Sequence, residues 1–156
     1  MAVRSRSRSQ LAVAVYALCL ALASEPRLAG QPATDTAPVQ RVLDDYIGLY
    51  TSARLPEWKA LFLPSFTATY TNSDGSVSSR TLEEFYESQR SGFAGGPMTE
   101  TLHDVRIVRE GRLAQVVAGF DFTSGTTTRR GQLMLLMIES RGRFKVAGLV
   151  FSYHLQ

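Results

Sequence analysis

The chain has 156 residues, a length that suits one domain, and its shares of 44% apolar and 20% charged residues are ordinary for a globular protein. Its formal net charge is +3, but Arg4, Arg6 and Arg8 lie in a leading segment without Asp or Glu. Removing these 3 from the 17 basic residues leaves 14 against 14 acidic residues, a net charge of zero. Such a domain has no charge excess to attract nucleic acid or an anionic membrane, so we expect neither partner.

The N-terminal segment has the three-part layout of a secretory signal. Residues 1–10 carry the arginines, residues 11–23 are uncharged and apolar, and Ala21-Leu22-Ala23 supplies a small-residue cleavage pattern. The apolar run is too short to span a bilayer as a stable helix. We therefore predict a signal peptide over residues 1–23, a secreted or periplasmic location, and no stable membrane span after cleavage. An uncleaved anchor and a mitochondrial presequence are the alternatives.

The only cysteine, Cys19, lies inside this apolar run. Cleavage after Ala23 would leave a mature chain without a disulfide or a nucleophilic thiol. Residues 24–37 are small, polar and Pro-containing, which predicts a flexible spacer, and the domain is expected to occupy residues 38–156.

Three segments have helical patterns. Apolar residues recur at helical spacing from Val39 to Tyr50, and a short second helix is expected over residues 55–63 with Pro56 near its start. Thr81 and Glu84 have the spacing of a capping box, which predicts the beginning of a third helix.

The rest of the chain is typical of strands. One strand is expected over residues 66–70. Four more are expected over residues 99–109, 112–123, 127–139 and 143–155, separated by tight Gly-containing turns. Consecutive strands joined in this way form an antiparallel meander, so the fold class is α+β.

The first hairpin allows the register to be argued. A two-residue Glu110-Gly111 loop would pair Arg109 with Arg112. One face would then carry His103, Val105, Ile107, Ala114, Val116, Ala118, Phe120 and Phe122. His103 is the only titratable group on this face, which the helices should cover, and Asp121 would enter it only if the register slipped by one residue.

The same count can be extended through the later turns. It places Leu133, Leu135, Met137, Phe144, Val146, Val150, Ser152 and His154 on the pocket side. It places Met134, Leu136, Leu149, Phe151 and Tyr153 on the outer side. An outer face this apolar predicts a homodimer packed through the sheet.

Three stretches carry a likeness to a known family. They are LPEWKALFLPSFTATYTNSDG, SSRTLEEFYES and GRFKVAGLVFSYH, and with the first helix the likeness extends from Val39 to His154. The pattern resembles SnoaL-like and ketosteroid-isomerase-like domains of the nuclear transport factor 2-like superfamily, most of all their lumazine-binding-like branch. The resemblance implies a cone-shaped α+β barrel in which three N-terminal helices pack on a strongly curved, mainly antiparallel sheet.

The resemblance also implies a cavity between helices and sheet that accepts a small apolar or aromatic molecule. Enzymes of the family place an Asp, Glu or His in this cavity as acid or base, which makes His103 the candidate catalytic residue. Asp121 and His154 are less favoured candidates for the same role. The candidate ligand-binding residues are Tyr46, Tyr50, Trp58, Phe62, Tyr70, His103 and Phe120.

Other chemistries find no support in the sequence. With two histidines, no mature cysteine and no ligand spacing, we expect no metal site, and without a phosphate-binding glycine motif we expect no cofactor. We favour an exported small-molecule-binding domain. The alternatives are an isomerase, dehydratase or cyclase using His103, with Tyr50 or Tyr70 stabilising an enolate-like oxygen, and a protein-interaction module using the outer sheet face.

Overall fold

The computed structural model describes residues 35–72 and 74–154. The predicted signal peptide and all but the end of the predicted spacer lie outside these ranges. The helices are α1 (Ala37–Gly48), α2 (Leu55–Lys59) and α3 (Leu82–Ala94). The strands are β1 (Phe62–Thr71), β2 (Val77–Thr81), β3 (Met98–Glu110), β4 (Leu113–Ser124), β5 (Thr127–Ser140) and β6 (Arg143–Tyr153).

The six strands form one sheet in the order β2-β1-β6-β5-β4-β3. Only β1 and β6 pair in parallel, and the other neighbours are antiparallel. The α+β class and the meander from β3 to β6 are confirmed. A block of three helices before the sheet is not observed, because α3 follows β1 and β2.

Local chemistry explains where the helices begin and end. Pro38 and Pro56 lie in the first turns of α1 and α2, where a missing N–H costs nothing. The predicted capping box of α3 is confirmed: Glu84 N donates to Thr81 Oγ1, and Thr81 N donates to Glu84 Oε2 over 2.8 Å. Helix α2 is shorter than expected, since the chain turns after Lys59 and is already extended at Phe62.

The core is an aromatic cluster between the helices and one face of the sheet. Trp58 is fully buried, and its ring centroid lies 4.6 Å from that of Phe62 and 5.8 Å from that of Phe85. The strands bury alternate residues against this cluster: Ala114, Val116, Ala118 and Phe120 from β4, and Leu133, Leu135 and Met137 from β5. Each large apolar side chain buried in this way contributes about 1.5–3 kcal/mol.

A bulge in β3 changes which residues face the core. Arg109 pairs with Ala114 and not with the predicted Arg112, so the pairing next to the first turn is shifted by two residues, which leaves the predicted faces there unchanged. Farther along, Arg106 pairs with Val117 but His103 pairs with Gly119. Two residues of β3 therefore oppose one residue of β4 at this point, and the first of them, Asp104, has a φ of +52°. An extra residue reverses the alternation, so the strand turns its other face inward beyond it.

A second irregularity has the same effect in β6. Val146 pairs with Met137 and Gly148 with Leu136, which leaves Ala147 as the extra residue. The predicted faces are therefore wrong beyond this point. Leu149, Phe151 and Tyr153 lie on the helix side of the sheet, and Val150 is 48% exposed on the other side, with Ser152.

Gly131 permits close packing in the middle of the sheet, where it pairs with Phe120 and Tyr153. A Cβ atom there would lie 2.3 Å from Ser152 O and 2.6 Å from Phe120 Cζ. We expect Gly131→Ala to lower the free energy of unfolding by about 1–3 kcal/mol in urea titrations, because backbone and ring must both shift. Gly48→Ala, which meets no atom within 4 Å, should raise it by up to about 1 kcal/mol. Equal stability of Gly131→Ala and the wild type would contradict this account.

Candidate functional site

A cavity of about 320 Å³ lies between the helices and the sheet, which is within the size range of small-molecule sites. Its walls are mainly apolar and aromatic, with contributions from Phe85, Met98, Phe120, Leu133, Leu149 and Phe151. The polar lining groups other than tyrosines are Arg80, Ser88, Gln89, Glu100 and Arg129. An apolar cavity with a few convergent polar groups can bind a small molecule and orient it.

Glu100 is the one carboxylic acid among the described residues that line this cavity. It lies on β3 beyond the bulge, opposite Phe122 of β4, and the Tyr46 hydroxyl donates a hydrogen bond of 3.4 Å to its Oε1. Burial raises the pKa of Glu100 to about 7, and the hydrogen bond from Tyr46 offsets only part of that increase. A carboxyl group with this pKa can donate or accept a proton near neutral pH.

Three tyrosines sense the charge of this carboxyl group. Burial, followed by the charge of Glu100, raises the pKa of Tyr46, Tyr50 and Tyr153 above the ordinary value. The Tyr50 hydroxyl donates to Gln89 Oε1. Tyr153 also senses Arg129, whose positive charge lowers the Tyr153 pKa in part. The three hydroxyls therefore stay protonated at physiological pH and can donate hydrogen bonds.

Most of the predicted ligand-binding residues lie around the cavity. Tyr46, Tyr50, Trp58, Tyr70 and Phe120 line it. Phe62 packs behind this wall, with its ring centroid 4.6 Å from that of Trp58 and 4.6 Å from that of Phe66. Whether these residues contact a ligand stays a prediction.

His103 does not lie where the sequence argument placed it. It is on the outer face of the sheet with its side chain 48% exposed, because the bulge reverses the faces of β3. Its Nδ1 is 2.9 Å from Asp104 Oδ2, and its Nε2 is 4.0 Å from Asp121 Oδ1. The predicted position of His103 on the cavity face is therefore wrong. A role of His103 as an acid or base stays a prediction.

The two secondary candidates also lie away from Glu100. Asp121 is half-buried on the outer face, where its Oδ1 is 3.3 Å from Arg130 Nε. His154 is exposed beyond the end of β6.

Sequence reasoning missed Glu100, although a signal for it exists. Met98, Glu100 and Leu102 alternate with Thr99, Thr101 and His103, so the acid shares a face with two apolar residues. The register predicted from the hairpin placed this face on the outer side of the sheet, because it assumed an uninterrupted alternation along β3 and so did not include the bulge.

Within residues 35–72 and 74–154, no group of three His, Cys, Asp or Glu side chains is placed to hold a metal ion. In the same ranges, no helix is long and apolar enough to cross a membrane.

No protein-family model matches the sequence, and no curated protein matches it. Solved structures do match. A protein of unknown function from Shewanella baltica, described as NTF2-like, superposes with a TM-score of 0.60 at 15% identity, covering 76% of this chain and 93% of that chain.

Two further matches carry enzyme names. A candidate dehydratase of the NTF2-like family from Streptomyces avermitilis gives a TM-score of 0.64 at 15% identity, covering 80% of this chain and 99% of that chain. A candidate aromatic ring hydroxylase from Novosphingobium aromaticivorans gives a TM-score of 0.65 at 12% identity, covering 81% of this chain and 94% of that chain. At such identities the similarity shows the fold, and the predicted nuclear transport factor 2-like fold is confirmed.

The raised pKa of Glu100 predicts a pH dependence of stability. Its value is near 4.5 in an unfolded chain and about 7 in the folded protein, so the folded state keeps a proton that the unfolded state releases between these values. The stabilising contribution is complete below about pH 4.5 and is lost as the pH rises to about 7. We expect the free energy of unfolding of the wild type to fall by about 3 kcal/mol more over this interval than that of Glu100→Gln, which has no titrating group at this position. Urea titrations at several pH values measure this difference.

The exposed Glu110, on the same strand, provides the matched control. Glu110→Gln should leave the pH dependence as in the wild type. If Glu100→Gln and the wild type have parallel stability profiles, the carboxyl group is not buried as described.

Proposed function

We propose that this domain binds a small, largely apolar or aromatic molecule in the cavity, with one polar group of that molecule facing Glu100. The observation that carries the proposal is a single acid, with a pKa near 7, in an otherwise mainly apolar and aromatic cavity. A dry apolar cavity of roughly 150 Å³ accommodates benzene, so a cavity of about 320 Å³ suits a two-ring molecule. We also propose that the helices and the sheet together form the cone-shaped α+β barrel that the sequence resemblance implies.

The donors and acceptors around Glu100 support a ligand with a hydroxyl or carbonyl group. Among the described side chains only Tyr46 donates to the Glu100 carboxyl, over a long 3.4 Å, which leaves acceptor capacity on its two oxygens. A ligand hydroxyl can donate to this carboxylate, and a ligand carbonyl can accept from the Tyr46 or Tyr153 hydroxyl. Buried polar groups are costly when unpaired, so such bonds would favour binding in one orientation.

Filling the cavity should abolish binding. Leu149 lines the cavity and its neighbour Val150 is exposed on the opposite face, so the two provide a matched pair. We expect Leu149→Trp to weaken the binding of 2-naphthol by at least about tenfold in calorimetric titrations, because the indole occupies the ligand's volume. Val150→Trp should leave the affinity as in the wild type.

Folding of both variants is checked by circular dichroism. If 2-naphthol binds folded Leu149→Trp as tightly as the wild type, the ligand does not occupy this cavity. If 2-naphthol does not bind the wild type, the proposal is wrong for two-ring apolar molecules.

A second candidate function is proton transfer, as in an isomerase or dehydratase. The near-neutral pKa of Glu100 favours it, because a general base is most effective when its pKa is near the working pH. Glu100 would take a proton from a carbon next to a ketone, and a tyrosine hydroxyl would donate a hydrogen bond to the resulting enolate oxygen. The enzyme names of two structural neighbours support keeping this class.

This reading can be tested with 2-tetralone, a two-ring ketone, by following exchange of its α-protons with deuterated solvent by NMR. We expect the protein to accelerate exchange, with a rate that rises with pH through about 7, because the carboxylate is the basic form. Glu100→Gln should lower the rate by at least about 100-fold.

His103→Ala separates the two candidate bases. Unchanged exchange in this variant would exclude the role first predicted for His103, while loss of exchange in His103→Ala alone would exclude Glu100. Absence of any acceleration by the wild type would leave the domain as a binding module.

Export and dimerisation remain proposals of their own. A mature N-terminus at Ser24 in protein recovered from the cell envelope would support export, and retention of Met1 there would contradict cleavage.

Leu136, Ile138 and Val150 are exposed on the outer sheet face, which favours a homodimer through that face. Analytical ultracentrifugation measures this, and a monomer at all concentrations would exclude it.

A further inference from the structure

Two arginines line the cavity. Arg80 lies on β2 and Arg129 near the beginning of β5, and Arg129 is the exposed member of the pair. Each guanidinium lies over a tyrosine ring that also lines the cavity. Arg80 Cζ is 5.1 Å from the centroid of the Tyr70 ring, and Arg129 Cζ is 5.6 Å from that of Tyr153.

Phe151 joins the two tyrosines into one continuous surface. Its ring stacks on Tyr70 at 5.2 Å with an interplanar angle of 18°, and it meets Tyr153 edge-on at 5.8 Å. All of these side chains line the cavity. We name the set Arg80, Tyr70, Phe151, Tyr153 and Arg129 the arginine–aromatic row. The row consists of three neighbouring rings with one guanidinium group at each end.

The positive charges of this row are not neutralised by ion pairs among the described residues. No carboxylate there lies within 4.0 Å of Arg80 or Arg129. Arg80 donates to Ser88 Oγ over 2.6 Å, which fixes its position beside the cavity. The exposed Glu84 senses the charge of Arg80, but from beyond ion-pair distance.

The surroundings of Glu100 have the opposite character. Burial desolvates its carboxyl group, and no cation lowers its pKa. A ligand carboxylate beside Glu100 would be desolvated next to a second acid, which is unfavourable. A carboxylate at the row would be attracted by two positive charges, and its oxygens match the planar donors of the nearer guanidinium group.

We propose that the ligand of this cavity is an aromatic acid whose carboxylate lies at the arginine–aromatic row, attracted by the charges of Arg80 and Arg129, while its rings lie against the aromatic members of the row. This inference rests on the proposed binding function and adds the chemical class and the orientation of the ligand. The apolar rings then extend inward, and a hydroxyl or carbonyl group at their far end reaches Glu100.

A pair of probes of equal shape tests the charge directly: 2-naphthoate and its neutral analogue 2-naphthamide. We expect the purified protein to bind 2-naphthoate at least about tenfold more tightly in calorimetric titrations, since charge-assisted hydrogen bonds are about twice as strong as neutral ones. This preference should decrease as the ionic strength increases. Arg80→Gln and Arg129→Gln should each weaken naphthoate binding about fivefold or more, and the double variant should bind both probes equally.

Arg130→Gln is the matched control, because Arg130 follows Arg129 in sequence but pairs with Asp121 on the outer face. It should retain the full preference for 2-naphthoate. Binding of 2-naphthamide should be the same in all variants, which also shows that they are folded.

Each other result overturns the inference. Equal affinity of the wild type for the two probes would exclude recognition of the carboxylate, and a preference that persists in the double variant would exclude the two arginines. If 2-naphthol binds but 2-naphthoate does not, only this inference fails. If none of the three probes binds, the proposed binding function fails with it.

Discussion

The alternation of side chains between the two faces of a strand is the constraint on which the rest of this structure depends. Each of two bulges, at Asp104 in β3 and Ala147 in β6, inserts one residue and reverses that alternation. Without the first, His103 and not Glu100 would face the helices. Without the second, Leu149, Phe151 and Tyr153 would point away from the cavity. The chemical character of the cavity thus follows from two single-residue insertions in the ladder.

The cavity exists at the expense of stability, and the aromatic cluster compensates. Holding Glu100 in an apolar wall disfavours its ionised form, so the domain loses stability as the pH approaches neutrality. Trp58 and the rings around it bury enough apolar surface to tolerate this. Proteins keep such unfavourable groups mainly where function requires them. The position of Glu100 is therefore stronger evidence for a functional site than the fold is.

Charge is separated along the cavity although the domain as a whole is neutral outside the leading segment. Arg80 and Arg129 line one part of the cavity wall, and Glu100 lines another part, where no cation lowers its pKa. Tyr153 senses both Glu100 and Arg129, so it lies between the two regions. An elongated ligand bound as proposed would therefore have one favoured direction, which neither the net charge nor the fold class would reveal. The fold itself hosts several activities, so function has to be argued from these side chains.

The sequence by itself determined the local features of this protein: the capping box of Thr81 and Glu84, the turns of the meander, and the inward alternation of β4. Each depends on neighbours in the chain or on one hairpin partner, and the residue types there admit few alternatives. Only the tertiary structure decided the site. The bulge at Asp104 carries no glycine to announce its positive φ, and the chain adopts it because the sheet must present apolar residues to the helices on both sides of that point. The cavity then collects residues from every helix and strand, and no pattern along the chain brings these together.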